Sequence, residues 1–169
     1  MILIDPDLDS VASPKSAAAK LASSAIPSTR TLARFLAEAQ AAIRLHGQVT
    51  VLLTTDAALR DFNRRFRGKN KPTDVLSFPA MGTQNSKPAE RMAGDVAVSV
   101  ETARRQGAAC GHSLATEIKV LILHGLLHLA GFDHETDAGQ MHLRESELRS
   151  SFGLPQGLIE RASTRGKRP

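Results

Sequence analysis

Tryptophan and tyrosine are absent from the 169 residues, and six phenylalanines make up the whole aromatic complement. That scarcity weighs against a surface that holds single strands mainly by stacking bases. One cysteine, Cys110, leaves no intramolecular disulfide and fits a reducing compartment. Following Ala108-Ala109, it is expected to pack as a small apolar side chain. No apolar run approaches the length of a membrane span. The opening Met-Ile-Leu-Ile, followed by Asp5, Asp7 and Asp9, has no basic segment of the secretory kind, so a cytoplasmic protein is expected. Acidic residues are outnumbered, 17 against 22 Lys and Arg, giving a net charge of +5 and a pI near 9.9. Such a balance favours polyanionic partners and says nothing about fold. At 41% apolar residues, the chain is expected to form one domain over residues 1–169, with a true core.

Helical and strand periods alternate along the chain without an internal repeat. Ile2 to Ile4 reads as a short strand. Residues 5–30, rich in Ala, Ser, Pro and Asp, read as a loop or poorly ordered insertion. Leu32, Phe35, Leu36, Ala39 and Ile43 recur at helical spacing and predict a helix from Thr31 to about Leu45, ended by Gly47. Val49 to Leu53 is a β-branched apolar run and predicts a strand. Asp56 is placed to cap a helix over Ala57 to Phe66. A loop over 67–73 leads to a strand from Asp74 to Phe78, closed by Pro79. Residues 80–93 read as an exposed connection, Asp95 to Val100 as a strand and Glu101 to Ala109 as a helix. Ser113 is placed to cap a long helix to Ala130, apolar on every side at Val120-Leu121-Ile122-Leu123 and therefore buried. A last helix is predicted from Asp137 to Phe152, and residues 155–169 form a basic tail predicted to be mobile. Strands and helices mixed in one core give a small α/β or α+β domain.

The most specific signal lies in His124-Gly125-Leu126-Leu127-His128-Leu129-Ala130-Gly131-Phe132-Asp133-His134. His124 and His128 stand one helical turn apart on the same face, so both imidazoles can reach one ion. Gly131 can take the left-handed conformation that ends a helix and turns the chain back, bringing His134 up as a third ligand. Two imidazoles on a buried apolar helix need polar partners, and a metal supplies them. Three protein nitrogens with an open fourth position describe a catalytic zinc site; nickel, cobalt and copper also suit the donor set. Either Asp133 or Glu135 can hold an imidazole N–H, or both simply belong to a solvated turn. Zinc peptidases with comparable ligand spacing place a glutamate directly after the first histidine as general base. Here that position is Gly125. The ligand geometry is kept and that base is gone, which points to different chemistry.

A second constellation is basic: Arg60, Arg64, Arg65, Arg67, Lys69 and Lys71 surround a single acid, Asp61. Such a cluster can grip phosphates through charge and bidentate hydrogen bonds. Arg60, Arg64 and Arg65 fit a solvated helix face. Arg67 directly precedes the loop from Gly68 to Pro72, where its side chain can be held beside a cleft.

Three segments carry a family resemblance: Arg67-Gly68-Lys69-Asn70-Lys71-Pro72-Thr73-Asp74-Val75-Leu76-Ser77-Phe78-Pro79, Gly94-Asp95-Val96-Ala97-Val98-Ser99 and the histidine segment above. Together they resemble the YbeY family, bacterial rRNA maturation factors and metal-dependent endoribonucleases. The resemblance covers about residues 31–153. It implies an α+β, zincin-like domain: a mixed sheet of about four strands surrounded by helices, with the metal-binding helix buried centrally. It implies one zinc ion held by His124, His128 and His134, and a role in activity for Arg67. The implied function is cleavage of single-stranded RNA, chiefly at the 3′ end of small-subunit rRNA, and ribosome quality control. The ribosomal small subunit and its assembly factors would be partners. The Ala/Ser-rich segment before Thr31 and the basic tail after Leu154 depart from the family pattern.

Metal-assisted phosphodiester cleavage is the expected chemistry, with Arg67 stabilising charge that develops on phosphorus. Either water or the RNA 2′-hydroxyl is the nucleophile. His112 and His142 are candidates for proton transfer, although a surface position suits each better. Two rivals stand beside this reading. A zinc peptidase would have to do without a glutamate at Gly125, and Met141 is weak support for it. A non-catalytic ribosome-docking factor would use its metal only to organise the fold.

Overall fold

Residues 1–10, 25–81 and 91–155 of the computed structural model are described here. Four strands form one mixed sheet in the order β1-β2-β4-β3: β1 (Ile2–Ile4), β2 (Gln48–Thr54), β4 (Met92–Ser99) and β3 (Val75–Pro79). β1, β2 and β4 run parallel, and β3 closes the far edge antiparallel to β4. The helices are α1 (Thr29–Ile43), α2 (Asp56–Arg67), α3 (Val100–Cys110), α4 (Leu114–Leu129) and α5 (Gln140–Ser151). The fold is α+β, as expected. Residues 11–24 of the insertion expected over 5–30, 82–90 of the connection expected over 80–93 and 156–169 of the expected tail lie outside the described residues.

The period-two alternation of the strands sorts side chains between two layers. Val49, Val51 and Leu53 of β2, with Val96 and Val98 of β4, face a core shared with α1, α3, α4 and α5. Leu52, Leu76, Phe78 and Ala97 point the opposite way and meet Leu59 and Phe62 of α2. One helix therefore covers the second face only in part. α4 lies in the larger layer, with Ile118 and Val120 to Leu123 fully buried, as the all-round apolar sequence requires.

Capping explains most boundaries and corrects two expectations; two further expectations are corrected by the backbone and by exposure. Ser113 caps α4 as predicted, accepting from the Thr116 N–H. Thr55, and not Asp56, caps α2 by accepting from the Ala58 N–H. Asp56 instead accepts from Ser99, Thr102 and Arg105, tying α2 to α3. Burial raises the pKa of its carboxyl, but those bonds outweigh it and hold the pKa below the usual carboxylate value. α1 ends at Arg44 in the left-handed region (φ 60°), not at Gly47. Gly47 is needed for another reason: its φ is +106°, and a Cβ there would lie 2.8 Å from the Arg91 carbonyl oxygen. Residues Pro6–Ser10 form a 3₁₀ turn where a loop was expected. Cys110 is exposed rather than packed, because it falls on the last residue of α3, before the Gly111 cap.

Gly125 brings α4 close onto the sheet. A Cβ there would stand 2.6 Å from Val96 Cγ1 and 3.1 Å from Ser77 Oγ. The Ser77 hydroxyl donates to the Gly125 carbonyl at 3.0 Å. Helix propensity alone would favour alanine at this position by about 1 kcal/mol. Overpacking opposes that gain, and Gly125→Ala is expected to lower unfolding free energy by about 1–3 kcal/mol in urea melts. A neutral or stabilised variant would mean that α4 retreats from the sheet at little cost.

Candidate metal centre and its cleft

α4 stops where its ligands need it to. Ala130 is the C-cap and Gly131 follows at φ +91°. The Gly131 N–H donates to the His128 carbonyl (3.0 Å) and the Phe132 N–H to that of Leu127 (3.1 Å). This paired closure is the Schellman arrangement, for which glycine has no steric penalty. The returning turn is held by Asp133, whose carboxylate accepts from the Glu135 N–H and the Thr136 hydroxyl. Those bonds come first in holding the Asp133 carboxyl below its ordinary pKa.

The turn brings His134 to His124 and His128, with one ring nitrogen of each within 4.8 Å of the others. His124 is buried, His128 half-buried and His134 exposed. His124 Nδ1 lies 3.2 Å from Glu145 Oε2 and donates to it, leaving Nε2 bare. The Nε2 atoms of His128 and His124 lie 3.2 Å apart, and two unprotonated nitrogens at that distance would repel unless a cation lay between them. Two nitrogens on one tetrahedral zinc would stand about 3.4 Å apart. Burial, then repulsion from His124 and His134, pushes the pKa of His128 down to about 4, so at neutral pH its imidazole is uncharged, as a metal ligand must be. The residues fit a metal ion.

Glu145, the partner of His124, was not singled out from the sequence, where Asp133 and Glu135 were the candidates. It comes from α5 and is itself held by Arg149 at 3.1 Å, both side chains being buried. Burial raises the pKa of the Glu145 carboxyl, yet the His124 hydrogen bond and the Arg149 charge outweigh it and leave it lowered. A signal was present in the sequence. Glu145 and Arg149 share the α5 face of Met141 and Leu148, positions where an amphipathic helix carries apolar residues.

A cavity of about 780 Å³ opens over the centre. One wall is β3, the edge strand; the three histidines form another; Arg67 and Phe66, from the end of α2, line it as well. The backbone around Arg67 is shaped by its own loop. Gly68 ends α2 in the left-handed region (φ 66°), and buried Asn63 donates to the Lys71 carbonyl at 2.8 Å. The other basic residues do not converge on the site. Arg64 and Arg65 pair with Asp61, and Arg60 bonds Asn70, all on an exposed face. His112 pairs with buried Glu117 rather than lying on the surface, at the opposite end of α4, roughly 18 Å along the helix. His142 is not among the residues lining the cavity. Met141 is fully buried in the core. Among the described residues, no helix is long and apolar enough to cross a membrane.

A family model described as Endoribonuclease YbeY matches residues 15–153. The chain belongs to the endoribonuclease YbeY family. The match starts earlier than residue 31, so part of the Ala/Ser-rich segment lies within the family's span. The endoribonuclease YbeY of Koribacter versatilis is 48% identical over 141 residues, covering 83% of this chain and 88% of that one. The Solibacter usitatus relative is 48% identical over 113 residues, covering 67% and 71%. The solution structure of a Thermotoga maritima protein superposes with a TM-score of 0.51 at 22% identity, over 99% of this chain and 97% of the other, and shares the fold.

The carboxylate behind His124 should matter to metal affinity more than to folding. Glu145→Gln keeps the shape of the side chain and removes its charge. It is expected to weaken metal binding about 10- to 100-fold in chelator competition, with the far-UV circular dichroism of the parent. Unchanged affinity would show that Glu145 serves only the packing of α5.

Proposed function

We propose that this YbeY-family endoribonuclease cuts single-stranded RNA in its three-histidine cleft with zinc as the resident ion. Its biological substrate in this reading is the 3′ end of small-subunit rRNA, and its setting is maturation and quality control of the ribosome in the cytoplasm. The small subunit and its assembly factors are then its partners. The observation that carries the proposal is the shared cavity. His124, His128, His134 and Arg67 line one space although Arg67 is far from the histidines in sequence.

A zinc ion bound there would supply Lewis acidity toward a phosphoryl oxygen and toward water. The rest is the work of the chain. Arg67 lines the cavity, and its planar guanidinium would suit two phosphate oxygens at once and the charge that builds on them during displacement. Glu145 and Arg149 fix the His124 ring from behind. The zinc-ion assignment rests on three imidazoles with room for a further ligand. A peptidase-like general base has no place at residue 125, where Val96 occupies the space of any side chain. The proton acceptor therefore comes from elsewhere on the cleft wall or from the substrate.

The test is cleavage of a single-stranded RNA matching the immature 3′ end of small-subunit rRNA. Wild-type protein should cut internally, lose activity to a chelator and regain it with zinc. His128→Ala should abolish cleavage. Arg67→Ala should reduce kcat/KM about 10²- to 10³-fold while remaining folded. A 2′,3′-cyclic phosphate on the product would identify the 2′-hydroxyl as nucleophile. Cleavage undiminished in His128→Ala would overturn the proposal.

A further inference from the structure

On the sheet face away from the histidines lies an apolar groove of about 480 Å³. Leu52 and Ala97 contribute from the two central strands, and Leu3, Phe62, Phe66 and Phe78 stand around them. Half of the chain's six phenylalanines are gathered at this one place. Phe66 and Phe78 line both this groove and the metal cleft, so the two spaces adjoin at these rings.

The three rings pack edge to face. Centroids are 5.2 Å apart for Phe66 and Phe78, 6.4 Å for Phe62 and Phe78, and 6.5 Å for Phe62 and Phe66. Edge contacts of this kind orient a ring without covering its face. Phe66 is accordingly 67% exposed, an unusual position for a phenylalanine already in contact with two others. Its chain neighbour is Arg67, which lines the cleft. A ring suited to a nucleobase and a guanidinium suited to a phosphate thus stand one residue apart. Single-stranded RNA presents these two chemistries in alternation, one pair per nucleotide. The groove also has an acceptor on its rim, Asp95. A carboxylate there disfavours phosphate and can accept from the exocyclic amino group of a base. The volume suits a small group rather than a protein surface.

We propose that the groove receives a nucleobase of the RNA strand next to the phosphate held in the cleft, and that Phe66 is the platform on which this base stacks. The proposal rests on the endoribonuclease reading of the cleft and adds to it a residue that reads the substrate's base. Few aromatics are enough for this, because one platform beside the scissile bond sets the register of the strand, whereas a long stacking surface is not required.

The experiment is steady-state cleavage by the metal-loaded full chain, with wild type, Phe66→Leu and Phe66→Tyr. The substrates are one single-stranded RNA oligonucleotide and a series carrying a single abasic site at successive positions. Phe66→Leu should raise KM about tenfold or more, in keeping with the loss of one stacked base, and change kcat much less. Phe66→Tyr should behave as wild type. At one position flanking the cleaved bond, the abasic substitution should raise KM for wild type and add nothing in Phe66→Leu. If Phe66→Leu cleaves with unchanged KM, the platform is refuted and the endoribonuclease reading stands. Additive effects of Phe66→Leu at every abasic position would likewise refute it. If KM is unchanged while Phe66→Leu loses co-sedimentation with ribosomal small subunits, the groove is a docking surface and the proposal falls. A wild-type protein that cuts no RNA would remove the cleft reading itself, and this inference with it.

Discussion

The centre depends on two imidazoles set one turn apart on a helix that is otherwise buried and apolar. Such groups cannot be left unsatisfied in a dry interior. His124 is answered from behind by Glu145, which is answered in turn by Arg149. This chain of partners runs from α4 to α5 and decides which nitrogen of His124 stays bare. It also accounts for two charged side chains in α5 that are nearly inaccessible to water. A buried ion pair is weak evidence for stability in general. Here its position supports another role, the orientation of a ligand.

A second constraint is the distance of α4 from the sheet. With no side chain at Gly125, the helix backbone comes down onto Val96 and accepts a hydrogen bond from Ser77. That contact sets the height of His124 and His128 relative to β3, and β3 is a wall of the cleft. The glycine that removes the peptidase glutamate is therefore also the residue that lets ligands and cleft wall approach each other. Chemistry and packing are decided at one position.

Much of this was legible in the residues. The strand alternation, the apolar centre of α4, its Ser113 cap and the histidine-glycine spacing each have a local physical cause, and each appears where expected. What was not legible depended on distant partners. Asp56 looks like a helix cap when read alone, because Ser99 and Arg105, which occupy its oxygens, lie more than forty residues away. Glu145 was missed because its partner is on another helix, while Asp133 and Glu135, next to His134, drew attention by proximity. Gly47 ends no helix; it makes room for the chain leading into β4. The placement of Arg67 required the fold, which puts the end of α2 and the histidines on one cavity.

Among the described residues, β3 is bonded to the sheet on one side, whereas β4 is bonded on both. Separating β3 breaks one ladder of hydrogen bonds, and separating β4 breaks two. In the language of partial unfolding, the strand that borders the cleft belongs to a less protected unit than the strand behind it. Local opening at the site can then proceed without loosening the parallel β1-β2-β4 body. Adaptability toward a bulky polymer and persistence of the fold are thus assigned to different strands of the same sheet.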